Sequence, residues 1–155
     1  MRKGAAERRV VGAILPHWEQ WWGSGPPELT YRATQVLTGH GCFGKYLGKI
    51  GAEHTTECHH CGAESDSAQH TLAECSAFES QRRTLIANIG DDLSPAAIIE
   101  GLLAEDGKKE AIFSFCEEVM GLKEVAERGR ERANTRRRIR GMPRTARHTA
   151  RWLET

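Results

Sequence analysis

A chain of 155 residues with 39% hydrophobic side chains allows one ordinary domain at most, with a modest core. No run approaches the roughly 18 apolar residues of a membrane span and no hydrophobic leader opens the sequence, so neither a membrane-spanning nor an exported protein is expected. The net charge of +1 conceals a strong division: residues 1–52 carry +4, residues 53–118 carry −10 and residues 119–155 carry +7.

In chain order the pattern is helical throughout, without convincing strand alternation. Residues 5–15 form a short helical candidate stopped by Pro16. Trp18, Trp21 and Trp22 follow, before the breaker run Gly23-Ser24-Gly25-Pro26-Pro27. A second helix is expected from Thr30 to Thr38, with Tyr31, Thr34 and Leu37 on one side and Gly39 beyond its end. Phe43, Tyr46, Leu47 and Ile50 fall at i, i+3, i+4 and i+7, the face of an amphipathic helix leading into a cysteine turn. Asp66 or Ser67 can cap a short helix carrying His70. Ser76-Ala77-Phe78-Glu79 reads as a capping box for a helix to about Asn88, with Gly90 beyond it. Ser94-Pro95 opens a helix to about Leu103 with Pro at its first position. Ile112, Phe115, Cys116, Val119 and Met120 continue the helical period into a last helix reaching about Arg138.

The strongest chemical signal is Cys58, Cys61, His70 and Cys75, a C-x2-C-x8-H-x4-C array. Three thiolates and one imidazole are what a tetrahedral Zn²⁺ takes, the first pair chelating from one tight turn. A redox Cys-x2-Cys would want a helix N-terminus in a βαβ setting, whereas here Gly62 follows and two more ligands arrive downstream. Five cysteines, an odd number, fit a reducing compartment, cytosol or nucleus. Cys42 and Cys116, in apolar helical patterns, read as packed small hydrophobes. His54, His59 and His60 are rival ligands, but His59 and His60 lie inside the cysteine turn, where side chains point away from the metal. His70 and Cys75 are five apart, so an unbroken α-helix would aim them about 140° apart, and a break near Glu74 to Ser76 is expected.

Ten arginines stand between Arg128 and Arg151 against one acid, Glu131. Such a block suits counterion release at phosphates, and the candidate contacts are Arg128, Arg130, Arg132, Arg136, Arg137, Arg138, Arg140 and Arg144. The plainer reading is a solvated tail. The Trp18, Trp21 and Trp22 cluster has i+3 and i+4 spacing, which favours packing over base stacking. Arg82-Arg83 reads as a phosphate contact or a local ion pair. His40, between two glycines, has no implied partner and reads as a loop residue fixing a turn.

The stretch Leu29 to Ile50, with Leu37-Thr38-Gly39-His40-Gly41 followed by Tyr46-Leu47, then Cys58-x2-Cys61 and Gln69-His70-Thr71-Leu72-Ala73-Glu74-Cys75, resembles the C-terminal region of arthropod non-LTR retrotransposon Pol polyproteins. It is most similar to type-1 elements that insert into ribosomal DNA. The resemblance covers about residues 8–130 and implies a zinc knuckle that binds nucleic acid after the reverse transcriptase. Ser76 stands where the family often has Pro. No Tyr precedes an Asp-Asp pair, and Asp91-Asp92 follows Gly90, so polymerase and endonuclease are expected outside this chain and no catalytic residue is assigned.

The expectation is therefore an all-α, zinc-stapled accessory region. Residues 1–27 form an N-terminal helix and Trp cluster with linker, 28–125 the helical zinc domain, and 126–155 an Arg-rich helix or tail. The expected partners are RNA or DNA and the upstream polymerase domain, with no membrane. The rival is a structural module docking on that polymerase, which the acidic zinc segment favours.

Overall fold

The computed structural model describes residues 4–23, 25, 27–104 and 106–141. It is all-α, and no strand occurs among the described residues. None of its helices is long and apolar enough to cross a membrane. The α-helices are α1 (Ala5–Ile14), α2 (Trp18–Gly23), α3 (Tyr31–Thr38), α4 (Gly44–Lys49), α5 (Glu79–Ile89), α6 (Pro95–Leu103) and α7 (Lys108–Gly141).

Contacts divide the chain into two units, Met1–Gly121 and Leu122–Thr155. In the first, α1 packs against α6 and α3. Phe43, Leu72, Phe78, Leu85, Ile98, Ile99, Ile112 and Val119 are among the buried core residues. Each such side chain contributes about 1.5–3 kcal/mol of burial free energy, enough together to order short helices that would not persist alone. The second unit is the helical continuation of α7 from Leu122 to Gly141.

Local signals set several boundaries. Thr30 Oγ1 accepts the Ala33 N–H (3.1 Å) at the start of α3, and Gly39 ends it. Ser94 Oγ accepts the Ala97 N–H (3.2 Å) before Pro95, and Gly90 ends α5. Pro16 does not stop the chain's coiling: a 3₁₀ turn at Leu15–His17 carries it from α1 into α2.

Other expectations need correction. The inner face of α3 is Ala33, Val36 and Leu37, while Tyr31 and Thr34 face solvent. The helix is held by its neighbours, which select the wider apolar stripe. Phe43, which immediately precedes α4, and Leu47 within it are buried, but the helix ends at Lys49 and Ile50 is exposed. Cys42 lies in the bend between α3 and α4 rather than in a helix, whereas Cys116 is packed in α7, where burial pushes its thiol up to about 12. No capping box forms at Ser76. A 3₁₀ turn occupies Ser76–Phe78, and α5 starts at Glu79 without a side-chain cap.

Candidate metal centre

Between α4 and α5 the chain forms an irregular loop whose backbone is closed on itself. Cys58 N–H donates to the Ala63 carbonyl and Gly62 N–H to the Cys58 carbonyl, both at 2.8 Å. Gly62 has φ +81°, a conformation costly for any side chain, so the glycine after the second cysteine lets this turn close. Asp66 N–H reaches the Thr56 carbonyl (2.8 Å), and Thr56 Oγ1 donates to the Glu64 carbonyl (3.0 Å).

The second pair of residues comes from a π turn at His70–Glu74. Its hydrogen bond runs from Cys75 N–H to the His70 carbonyl at 2.7 Å, five residues back rather than four. In α register these side chains would diverge by about 140°. The wider turn returns Cys75 to the side that carries His70, and the helical path then breaks at Cys75 (φ −59°, ψ 118°).

The ligating atoms of Cys58, Cys61, His70 and Cys75 consequently lie within 4.8 Å of one another, a group that could hold a metal ion. Cys58 Sγ is 3.9 Å from Cys75 Sγ, and Cys61 Sγ is 3.2 Å from His70 Nε2. Cys58, His70 and Cys75 are buried and Cys61 is partly buried. Burial works to raise the Cys61 thiol, but hydrogen bonds involving the Ala63 backbone, Cys58, Cys75 and His70 outweigh it and bring it down to about 7. Burial pushes Cys75 up to about 12. A metal ion entering this group would have to displace the Cys75 proton.

The surrounding side chains hold this geometry. His70 Nδ1, on the far side of the ring from Cys61, is 3.5 Å from Glu74 Oε2, a carboxylate placed to orient the ring with Nε2 towards the cysteines. Ser67 Oγ accepts the His70 N–H at 3.0 Å, so Ser67 is the cap. Asp66 instead bridges two elements: Oδ1 accepts from Thr71 Oγ1 and Oδ2 from Gly44 N–H, each at 3.1 Å. Buried Arg82 donates to the carbonyls of Leu72 (3.0 Å), Thr71 (3.3 Å) and Cys75 (2.7 Å) where the π turn ends, the last of which also accepts the Phe78 N–H at 3.2 Å. Neither role expected for Arg82 is the one it has. Arg83 pairs with Glu79 at 2.9 Å. The rival histidines are elsewhere: His59 is 3.8 Å from Glu53, the His60 ring lies on Phe78 at 5.1 Å, and His54 is exposed.

Arg9 is a further residue that sequence reasoning missed. Its Nε and Nη2 donate to the Val36 and Leu37 carbonyls at the end of α3, and Nη1 donates to Gln69 Oε1 at 2.9 Å. Gln69 Nε2 in turn donates to the Leu93 carbonyl at 2.8 Å, so the residue next to His70 is tied to α1 and to the entry of α6.

This arrangement can be set beside a known protein. Over 99 residues, 61% of this chain, the sequence is 34% identical to the Retrovirus-related Pol polyprotein from type-1 retrotransposable element R1 of Bradysia coprophila. The chain is related to such elements. It spans only 9% of that polyprotein's length. No family profile matches the chain, and no solved structure matches it.

Of the candidate nucleic-acid contacts, Arg128, Arg130, Arg132, Arg136, Arg137, Arg138 and Arg140 lie on α7, and Arg144 lies outside the described residues. Arg128, Arg132, Arg136 and Arg140 are spaced four apart, which puts them along one side of the helix. Arg128 is 3.6 Å from Glu124.

Proposed function

We propose that this chain is a non-catalytic, zinc-binding accessory region of a retrotransposon reverse transcriptase polyprotein, which binds element RNA or target DNA during retrotransposition. The carrying observation is the Cys58, Cys61, His70, Cys75 group. For ligands at about 2.3 Å (sulfur) and about 2.0 Å (nitrogen) from a tetrahedral zinc, the edges would be about 3.8 Å between sulfurs and about 3.5 Å between sulfur and nitrogen. The 3.9 Å and 3.2 Å separations lie close to those edges. Four protein ligands would fill the coordination sphere, leaving no position for an activated water, so the metal's role is structural.

Support for the nucleic-acid part is the arginine face of α7, which supplies charge to phosphates without reading sequence. The test is a titration of RNA and DNA at two salt concentrations, for the whole chain and for a chain lacking residues 128–155. The deletion is expected to weaken binding to every sequence and to flatten the slope of log affinity against log salt. An unchanged slope would remove the arginines from the mechanism.

A second reading, a module that docks on the upstream polymerase, is favoured by one feature. Trp18 and Trp22 stack on each other at 5.6 Å on α2 yet remain 51% and 75% exposed. Such aromatic surface is typical of protein interfaces.

A further inference from the structure

Beside the metal loop, α1, α3, α4 and residues Ser67 to Gln69 enclose a cleft of about 420 Å³. Its cations are Arg9, Lys45 and Lys49, and no Asp or Glu lines it. All three cations come from residues 1–52, the basic part of the sequence that precedes the acidic metal segment. Lys45 and Lys49 stand one turn apart on the exposed side of α4, and neither is in an ion pair among the described residues. The Arg9 guanidinium is satisfied only by neutral carbonyl oxygens, so its charge is not cancelled by those partners.

At one side of this cleft the rings of His40 and Tyr46 stack at 4.8 Å with 27° between their planes. The same pair, with Thr38, also lines a second cleft of about 400 Å³, whose other walls include Tyr31 and Gln35. Gln35 is buried to 7% exposure, and its Oε1 has no hydrogen-bond partner. A buried carbonyl oxygen without a partner costs free energy, and this one lies behind the wall of the second cleft. The two clefts thus share the His40–Tyr46 ridge, one of them cationic, in volumes suited to small-molecule-sized groups.

We infer that this groove binds single-stranded nucleic acid, one phosphate lying against Lys45 and Lys49 and one base stacked on the His40–Tyr46 ridge. The inference rests on the nucleic-acid reading above and adds a site within residues 1–121, separate from the α7 arginines. Stacking explains why the strand must be single, because a base paired in a duplex has no free face to offer. Lysines on a short helix offer charge without base discrimination, so RNA and DNA strands are both accommodated.

The test uses the full zinc-loaded chain and three probes: a single-stranded RNA of about eight nucleotides, a DNA strand of the same sequence, and the corresponding DNA duplex. Two cleft variants, His40→Ala and the double Lys45→Gln, Lys49→Gln, change exposed residues. A third, Arg136→Gln with Arg137→Gln and Arg138→Gln, changes only α7. Both cleft variants are expected to weaken single-strand binding on the order of 10-fold, with His40→Ala leaving duplex affinity unchanged. Single-strand affinity that survives both cleft variants but falls in the α7 variant overturns the groove and leaves the arginine reading intact. Losses confined to the cleft variants support the groove and remove the arginines. Equal losses on duplex and single strand in His40→Ala overturn the stacking, and absence of binding by the unaltered chain overturns both readings. If His40→Ala loses helical content by circular dichroism, the lysine pair and its single-strand loss carry the decision.

Discussion

Arg82 Nη2 donates to the carbonyl of Cys75 at 2.7 Å, so a candidate ligand and the first turns of α5 share one hydrogen bond. The same guanidinium holds the Thr71 and Leu72 carbonyls, which makes it the element that keeps the π turn from rewinding into α register. A planar fork with several donors is needed for three acceptors at once, and an ammonium is a poor substitute. Replacement of Arg82 by Met is expected to remove the side-chain donor from the Thr71 and Leu72 carbonyls, at about 1–3 kcal/mol each before relaxation, while the Cys75 carbonyl keeps the Phe78 N–H at 3.2 Å. Metal affinity should fall 10–100-fold, as for other groups that orient a ligand, and Arg82→Lys should restore only part of it. A chelator competition titration measures this, and unchanged affinity in Arg82→Met would show the clamp to be dispensable.

Metal removal should have a regional effect. A structural zinc contributes an apparent 10–16 kcal/mol at neutral pH, and no helix of the metal segment is long enough to persist alone. Chelation is therefore expected to unfold residues 54–90, and Cys61→Ser to do the same. The ligands bind deprotonated, so metal binding releases protons and affinity falls as pH falls. Hydrogen exchange with and without chelator gives the readout. Less than about half a zinc per chain in reduced material, or native helical content in Cys61→Ser, would defeat the four-ligand assignment.

Gly44 begins α4 where the chain leading to Cys58 passes closest. A Cβ there would sit 2.6 Å from the carbonyl oxygens of both Thr56 and Glu57. These are backbone atoms of the metal loop and cannot move aside as a side-chain tip would. Gly44→Ala is expected to lower stability by about 1–3 kcal/mol through overpacking, despite alanine's better helix propensity. Gly129→Ala, on α7 with nothing within 4 Å of its Cβ, should be neutral or stabilising. Urea midpoints compare the two, and equal shifts in the pair would argue against the close approach.

The purified chain, given primer-template, deoxynucleotides and Mg²⁺ or Mn²⁺, is expected neither to extend nor to cut nucleic acid above a buffer blank. Two-metal chemistry needs clustered carboxylates. Asp91 and Asp92 are exposed in the loop before α6, and Asp92 Oδ1 accepts the Ser94 N–H at 2.9 Å. Activity that survives two orthogonal columns and disappears in an Asp91→Ala, Asp92→Ala variant would reveal a catalytic domain.

What the sequence disclosed was what neighbours in the chain decide. Thr30 and Gly39, Ser94 and Pro95, and Gly90 act on backbone groups a few residues away, and the structure puts helix ends at each. The five-residue step from His70 to Cys75 announced that an α-helix could not serve both. The answer, a π turn stabilised from α5, depends on Arg82, whose acceptors lie 7 to 11 residues away. Arg9 is more remote still, with partners 27 to 60 residues distant. No local pattern separates such buried arginines from solvated ones. Ser76 and Glu79 had the letters of a capping box, yet the break at Cys75 leads into a 3₁₀ turn that puts Phe78, not Ser76, at the cap position of α5.

From Leu122 to Gly141 α7 is a rod of about 30 Å whose charged side chains are mostly cations. The steps from Arg128 to Arg132 to Arg136 to Arg140 place like charges one turn apart, each costing a few tenths of a kcal/mol. Such a helix behaves as a polyelectrolyte whose winding depends on the ions condensed around it. Dilute buffer should loosen it and added salt tighten it. A phosphate chain laid along it would do more than salt, because it neutralises several steps at once and gives the ions it displaces back to the solvent.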